Sequence, residues 1–570
     1  MSRAALLLAL LAAPARADDT DSVMYRDPEL PPPRIVHALP ARLPELWIEA
    51  LGRPEADLKA QAAQAVARAH ERGIAGMSVA VPALTRELDR PDAHPTVRLA
   101  AARALVVLDT KGSAAVLARA AAADHELREF ADAALARWDY TPARAGWLDR
   151  IAQPPTRRGT VLAVRALGVV REPAAAPRLR DLALDATAPA AVRLEAARAL
   201  AGIRTTGSEA NARTASSRGL TDRLVAASLL RQHGGDEAVK LLQALGRDAE
   251  PAVAAVALAR LLELDPDHVL ALLDPVLASP DAAVRGFGVE ALARRPSAAH
   301  VRRLAGQLID PHPAVRGRAR HLLHELANGW KVDVLAETER VLVGTDWRGL
   351  EQATLLLAGL DHRPAAARFV ELLRHDRPEV FTTAAWGLRR LAVPDTLAPA
   401  LGFFEDRYRG LLTPKATDAA ADTQLSHLAQ FFGRSKYAPA DAALGKLVPK
   451  ASPKGNPAGP EARAAAAWAL GLLHEGKGPP ALVGVLEGRL SAVNPFDIED
   501  ERVRRMAAVA LGRMRAGVPT LRKFYTEGGP AQNVVNNACG WALERATGER
   551  YPAPGTLTVT ARDWYLVPLD

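Results

Sequence analysis

Cysteine is nearly absent from this chain: among 570 residues there is one, Cys539. A single thiol excludes an intrachain disulfide scaffold and any cysteine-rich metal cluster, so stability must come from packing. Aromatic residues are also scarce, at 5% of the sequence against 49% hydrophobic overall. The apolar content is therefore mostly Ala and Leu, which suits closely packed helices better than large aromatic-lined cavities. No stretch reaches the ~18 consecutive apolar residues of a membrane-spanning helix. Nor does Lys or Arg form a run that would track a phosphate backbone, which argues against nucleic acid as a partner. Also missing are a CxxCH haem site, a G-x-S-x-G elbow, a P-loop and a GxGxxG after a strand. What remains is a soluble, folded chain with 24% charged residues and a formal net charge of +8.

The first seventeen residues, MSRAALLLALLAAPARA, combine a short basic start, an apolar run from Ala4 to Ala13, and small residues at Ala15 and Ala17. This is the layout of a secretory signal cleaved after Ala17, and it places the protein in the periplasm or the medium. Loss of Arg3 and Arg16 lowers the net charge to +6. Residues 18–49 form a Pro-rich segment, with DPELPPPRIVHALP (Asp27 to Pro40) expected to run extended before the first helix.

From residue 50 to 548 one short pattern recurs: an apolar anchor, often followed by Arg, then Ala four positions on and Ala-Leu at the seventh and eighth. The clearest copies are VRLAAARAL (Val97 to Leu105), VRLEAARAL (Val192 to Leu200), VRGFGVEAL (Val284 to Leu292) and VRRMAAVAL (Val503 to Leu511). Looser copies bring the total to fifteen, ending 30 to 44 residues apart, and a period in that range marks a stacked repeat array. Positions 0, 4, 7 and 8 share one helical face, and small residues at 4 and 7 admit a neighbouring helix. A second apolar segment lies between copies, as in GDEAVKLLQAL (Gly235 to Leu245), bounded by Asp/Pro turns such as SPDAAVR and DPHPAVR. Each unit is a helical hairpin that buries its apolar face only by stacking. Longer intervals place polar or Pro/Gly-rich insertions at Leu411 to Gln424, Pro449 to Pro460 and Ser491 to Asp500, with a smaller one at Thr205 to Gly219.

The pattern D-P-x-V-R-x-x-A-A-x-A-L-G resembles the HEAT repeat, in a short form similar to that of phycobilin lyases. The resemblance covers residues 50–548 and implies an all-α, right-handed α-solenoid of about 15 hairpins used as a binding or scaffolding surface. The tail YPAPGTLTVTARDWYLVPLD (residues 551–570) reads as a turn and one extended segment; residues 549–570 are expected to cap the end of the array.

Two features beyond the core pattern bear on function. Arg follows the anchor at Arg98, Arg128, Arg193, Arg223, Arg285, Arg316, Arg463 and Arg504; this is either a basic ladder for an anionic ligand or a set of pairs with acidic turn residues, such as Asp500 with Arg504. The sixth position lies off the apolar face and carries Arg103, Arg165 and Arg198 in the N-terminal half, then Trp386, Trp468 and Trp541. If the motif helix lines the concave side, as the resemblance implies, these six are the candidate partner-binding residues. The competing reading wedges each Trp between neighbouring repeats.

Deoxyhypusine hydroxylase, a HEAT-type enzyme, resembles this chain in having four His-Glu pairs, which there hold two irons. Here the pairs His70-Glu71, His125-Glu126, His324-Glu325 and His474-Glu475 fall at differing phases of the repeat, so they are not expected to converge on one metal centre. HLLHE (His321 to Glu325) is not the HExxH arrangement, and Cys539 occupies a position that other repeats give to Ala, as a small core residue does. The sequence thus predicts no catalytic residue, no cofactor and no metal. It points to a protein or peptide partner, with a tetrapyrrole-handling lyase activity or a role as accessory subunit of an exported complex as alternatives.

Overall fold

A computed structural model describes residues 22–30, 35–38, 42–154, 156–411, 419–450, 458–527, 533–552 and 557–560. The proposed leader, residues 1–17, lies outside them, as do parts of the insertions at 411–424 and 449–460 and residues 561–570 of the tail.

The fold is an all-α solenoid built from helical hairpins. All fifteen motif copies fall on helices, from Ala56–Glu71 through Pro95–Val107, Ala190–Ile203 and Pro378–Leu391 to Val534–Thr547. Each is preceded by a partner helix; Thr205 to Gly219, expected as an insertion, contains one of these, Glu209–Ser216. The helix Pro313–Val343 is two elements in line, a motif helix and the next partner helix, joined at Trp330 with φ −124° and ψ 32°.

Helix starts follow the turn chemistry. Pro occupies the first turn at Pro95, Pro251, Pro378 and Pro460, and Thr156, Ser297, Asp346, Asp500 and Asn533 accept backbone N–H bonds as caps. Many motif helices end on a residue in the left-handed region, including Asp109, Asp139, Asp361 and Ala392. At Asp109 the side chain helps hold the turn, because Oδ1 accepts from Trp138 Nε1 at 2.6 Å and from Arg137 Nη2 at 3.0 Å in the next repeat.

In four copies a Gly at position 9 sets the spacing to the next motif helix. A Cβ built on Gly168, Gly433, Gly471 or Gly512 would lie 2.8, 2.7, 2.8 and 2.6 Å from atoms of Ala199, Ala469, Ala510 and Ala542 respectively. Each of those alanines is position 7 of the following copy. At these four steps consecutive motif helices therefore meet backbone to backbone at a Gly–Ala contact, which excludes any larger side chain at either position.

The single array expected over residues 50–548 resolves into two compact units. Of the described residues, one holds those of the N-terminal segment up to Val36 with those from Leu292 to Thr558, the other those from His37 to Ala291 with Val559 and Thr560. In the second, Trp47, Trp147, Leu84, Leu117 and Leu179 centre the core; in the first, Phe369, Phe404, Phe431, Phe432 and Trp468 do so, together with Met24 from the N-terminal segment. Stacked repeats contact only their neighbours, so a long array has no single core.

The N-terminal end differs from the sequence-based expectation. The Pro-rich segment assigned to residues 18–49 contains a 3-10 turn, Val23–Arg26, a strand, Ile35–Ala38, and the first partner helix, Leu43–Leu51. In the tail, the expected extended segment is the strand Leu557–Thr560, which pairs with Ile35–Ala38.

Candidate partner-binding surfaces

Seven of the eight arginines after the anchor, all but Arg98, have structural partners. Arg193 donates to Ala183 O and pairs with Asp222 at 2.5 Å; Arg223 pairs with Asp248 at 2.7 Å. Arg128, Arg285, Arg316 and Arg504 donate to carbonyls at the end of the preceding partner helix or its turn. Arg463 makes a buried two-pronged pair with Glu499, at 2.9 and 2.6 Å. The expected pairing of Asp500 with Arg504 does not form: Asp500 caps its own helix and holds Arg502, at 2.9 Å, while Arg504 turns back to Leu490 O.

The three position-six arginines lie in the unit containing residues 37–291. Arg165 and Arg198 share one carboxylate, Glu195, at 3.1 and 3.6 Å. Both line an open depression of 410 Å³ with Glu129, Asp132 and the exposed Val169. Arg103 is exposed and lies outside that depression.

The tryptophans behave differently. Trp386 is 6% exposed and Trp468 only 1%, whereas Trp541 is half-buried. Trp386 and Trp468 therefore do not form the open aromatic surface expected of partner-binding residues. The rims of Trp468 and Trp541 lie over Gly433 and Gly512, position 9 of the preceding motif helix, in space that no Cβ fills. Arg513 and Arg545 stack on Trp468 and Trp541 at 5.4 and 5.9 Å.

Trp468 also touches something the sequence did not suggest. Its indole Nε1 donates to the Asp27 carbonyl at 2.6 Å. The N-terminal segment Ser22–Asp27 lies against the motif helices Ala419–Arg434, Pro460–Leu473 and Glu501–Met514. Ser22 Oγ and Tyr25 Oη donate to the two oxygens of Glu461, each at 2.6 Å. Gln430 Nε2 donates to Ser22 Oγ at 3.2 Å, and Arg505 donates to Tyr25 O at 2.9 Å. Arg513 pairs with the Asp27 carboxylate at 2.7 Å, and Met24 is fully buried in the core of this unit. Burial and the Glu461 carboxylate hold the Tyr25 phenol well above its usual range, so it is a hydrogen-bond donor at any ordinary pH.

Counted from the anchors Gln424, Ala462 and Val503, these contacts come from positions −1 (Glu461), 2 (Arg505), 6 (Gln430, Trp468) and 10 (Arg513). Steps of three, four and four residues keep them on one helical stripe. Position six was visible in the sequence as a column; the flanking positions carry unlike residues from copy to copy and gave no repeat signal.

No metal-binding cluster of three or more His, Cys, Asp or Glu occurs among the described residues. The His-Glu pairs are separate. His474 bonds Asp441 at 2.6 Å while Glu475 pairs with Lys436 and Arg545; His70 and His125 are exposed. Cys539 is fully buried, and burial pushes its thiol up to about 12. Among the described residues no helix is long and apolar enough to cross a membrane.

No protein-family model and no curated protein matches the sequence. Solved structures do match. The Kap95p structure solved with RanGDP aligns with a TM-score of 0.51 at 13% identity, covering 89% of this chain and 72% of that one. Importin beta in ammonium sulfate gives 0.46 at 15% identity over 88% and 72% of the two chains. Kap121p bound to RanGTP gives 0.47 at 13% identity, covering 89% of this chain and 57% of Kap121p. At such identities the similarity concerns the fold, and the architecture of this chain is that of a HEAT-type α-solenoid.

Proposed function

We propose that the protein is a noncatalytic binding or scaffolding solenoid that acts outside the cytoplasm and takes a short peptide segment of a partner protein along the motif-helix stripe of the unit containing residues 292–558. One observation carries this reading: the stripe already holds a short segment of the chain itself, Ser22–Asp27, wound into a 3-10 turn at Val23–Arg26, through two main-chain carbonyls, a carboxylate and two hydroxyls. Main-chain carbonyls are common to all peptides, so a partner segment meets the same donors. The Arg165–Glu195–Arg198 depression is a second, polar candidate surface. Export rests on the Met1–Ala17 pattern, and N-terminal sequencing of the secreted or periplasmic protein, expected to begin at Asp18, tests it. The lyase alternative lacks an accessible thiol, since Cys539 is buried.

Photocrosslinking tests the binding reading. A benzophenone side chain replaces Arg502 at the edge of the stripe, Arg198 in the depression, or Val485 on a partner helix. Crosslinks from position 502 or 198 in exported fractions, with none from 485, are the expected result; crosslinks confined to 485 overturn it.

A further inference from the structure

The stripe is not equally suited to every peptide. Glu461 offers a carboxylate to two hydroxyls, those of Ser22 and Tyr25, and it would repel an acidic or phosphorylated side chain at either place. Met24 fills an apolar site completely. Arg513, 5% exposed, meets the Asp27 carboxylate with Nη2, while its Nη1 has no hydrogen-bond partner; Arg505 Nε is likewise buried and unpartnered. A buried guanidinium with unused donors is costly, and an acceptor that engages both arms relieves that cost. The groove therefore has recognition capacity that the chain's own segment does not use.

We propose that Ser22–Asp27 is a tethered ligand, and that the groove formed by Gln430, Glu461, Trp468, Arg505 and Arg513 recognises a partner peptide of the pattern hydroxyl–x–long apolar–Tyr–x–acid, which must displace this segment. The inference rests on the protein-binding reading above and adds its specificity and its control. Tethering sets the competition: a segment held at an effective concentration of about 1 mM, with an intrinsic dissociation constant of about 10 µM, weakens a free competitor about 100-fold. A partner reaches the groove only by making better use of Arg513 and Arg505, or when the segment is pulled away.

A fluorescein-labelled peptide SVMYRDPEL, matching Ser22 to Leu30, is titrated by fluorescence anisotropy against two forms of the full chain, wild type and Met24→Asp/Tyr25→Ala. The expected result is binding to the double variant about 100-fold tighter than to wild type. Adding Arg513→Ala to the double variant should weaken it at least about tenfold, and a phosphotyrosine version of the peptide should not bind. Equal affinity for the two forms, or no binding to a folded double variant at about 100 µM, overturns the inference. If the double variant does not fold, a protease site inserted after Leu30 in the full chain frees the segment without altering the groove, and the same comparison is made before and after cleavage. A wild-type dimer that depends on concentration and on Met24 would show the segment filling the groove of a second copy, which overturns competition within one chain. Photocrosslinks from position 198 combined with no peptide binding would sink this inference and leave the protein-binding reading standing.

Discussion

Tryptophan 468 shows how one side chain serves packing and recognition together. Its ring covers Gly433 and stacks under Arg513, and its N–H reaches the main chain of the N-terminal segment. Trp386 is nearly as buried. Replacing either with Ala should cost about 3–5 kcal/mol by urea unfolding, since an indole-sized cavity opens in the repeat stack; Trp541→Ala, at a half-buried site, should cost less. A stability loss below about 1 kcal/mol at Trp468 would mean that the ring is not structural. The column was legible in the sequence because three tryptophans share a phase. The orientation of Trp468 and Trp541 was not, because it depends on the previous helix presenting glycine, and that pairing crosses 29 or more residues, from Gly512 to Trp541. His427 makes a second residue-level case. It is 4% exposed, and burial, with Arg389 beside it, lowers its pKa from 6.5 to about 3. The unfolded chain binds a proton below pH 6.5 that the folded chain refuses. The contribution of neutral His427 is thus complete above pH 6.5 and falls as pH drops, by about 2 kcal/mol at pH 5. His427→Leu should remove that part of the slope of stability against pH between 6.5 and 5, and an unchanged slope refutes the assignment.

At the scale of the helix, the periodic signal was strong because most copies solve the same problem with small residues: Ala at position 4, often Ala at 7 and, in several copies, Gly at 9 let successive motif helices approach. Gly512→Ala forces a methyl to within 2.6 Å of the Ala542 backbone, so it should destabilise by about 1–3 kcal/mol despite raising helix propensity. Gly484, inside the partner helix Pro480–Leu490, has no neighbour within 4 Å of a built Cβ. There the same substitution should stabilise by roughly 0.5–1 kcal/mol. Opposite signs from one substitution, measured side by side by chemical denaturation, separate the packing role of motif glycines from their backbone cost. Partner helices were harder to read from the sequence. Several are short, such as Asp441–Gly445 and Val518–Lys523, and a five- or six-residue element leaves too few turns for a 3.6-residue period to show.

For the whole molecule, the sequence made the array plain but not its division into two units, nor the return of Ser22–Asp27 to residues more than 400 positions away. Local pattern encodes a hairpin; it carries no label for a contact of that span. The same locality governs how damage spreads. Stability in a stacked array is a sum over repeats and their nearest interfaces, so a defect should be felt by adjacent hairpins and fade beyond them. Glu499 is the place to test this, because its carboxylate accepts from Arg463 and Arg489, belonging to successive repeats, with only 1% of its side chain exposed. Glu499→Gln leaves two guanidinium groups facing a neutral amide and should cost about 3–5 kcal/mol locally. Hydrogen exchange then reads the spread. Amides of Pro460–Leu473, Pro480–Leu490 and Glu501–Met514 should exchange about a hundredfold faster or more, whereas those of Ala56–Glu71 and Pro95–Val107, in the other unit, should keep wild-type rates. Uniform acceleration along the whole chain would mean that the protein unfolds as one cooperative body and that the nearest-neighbour account of its stability is wrong.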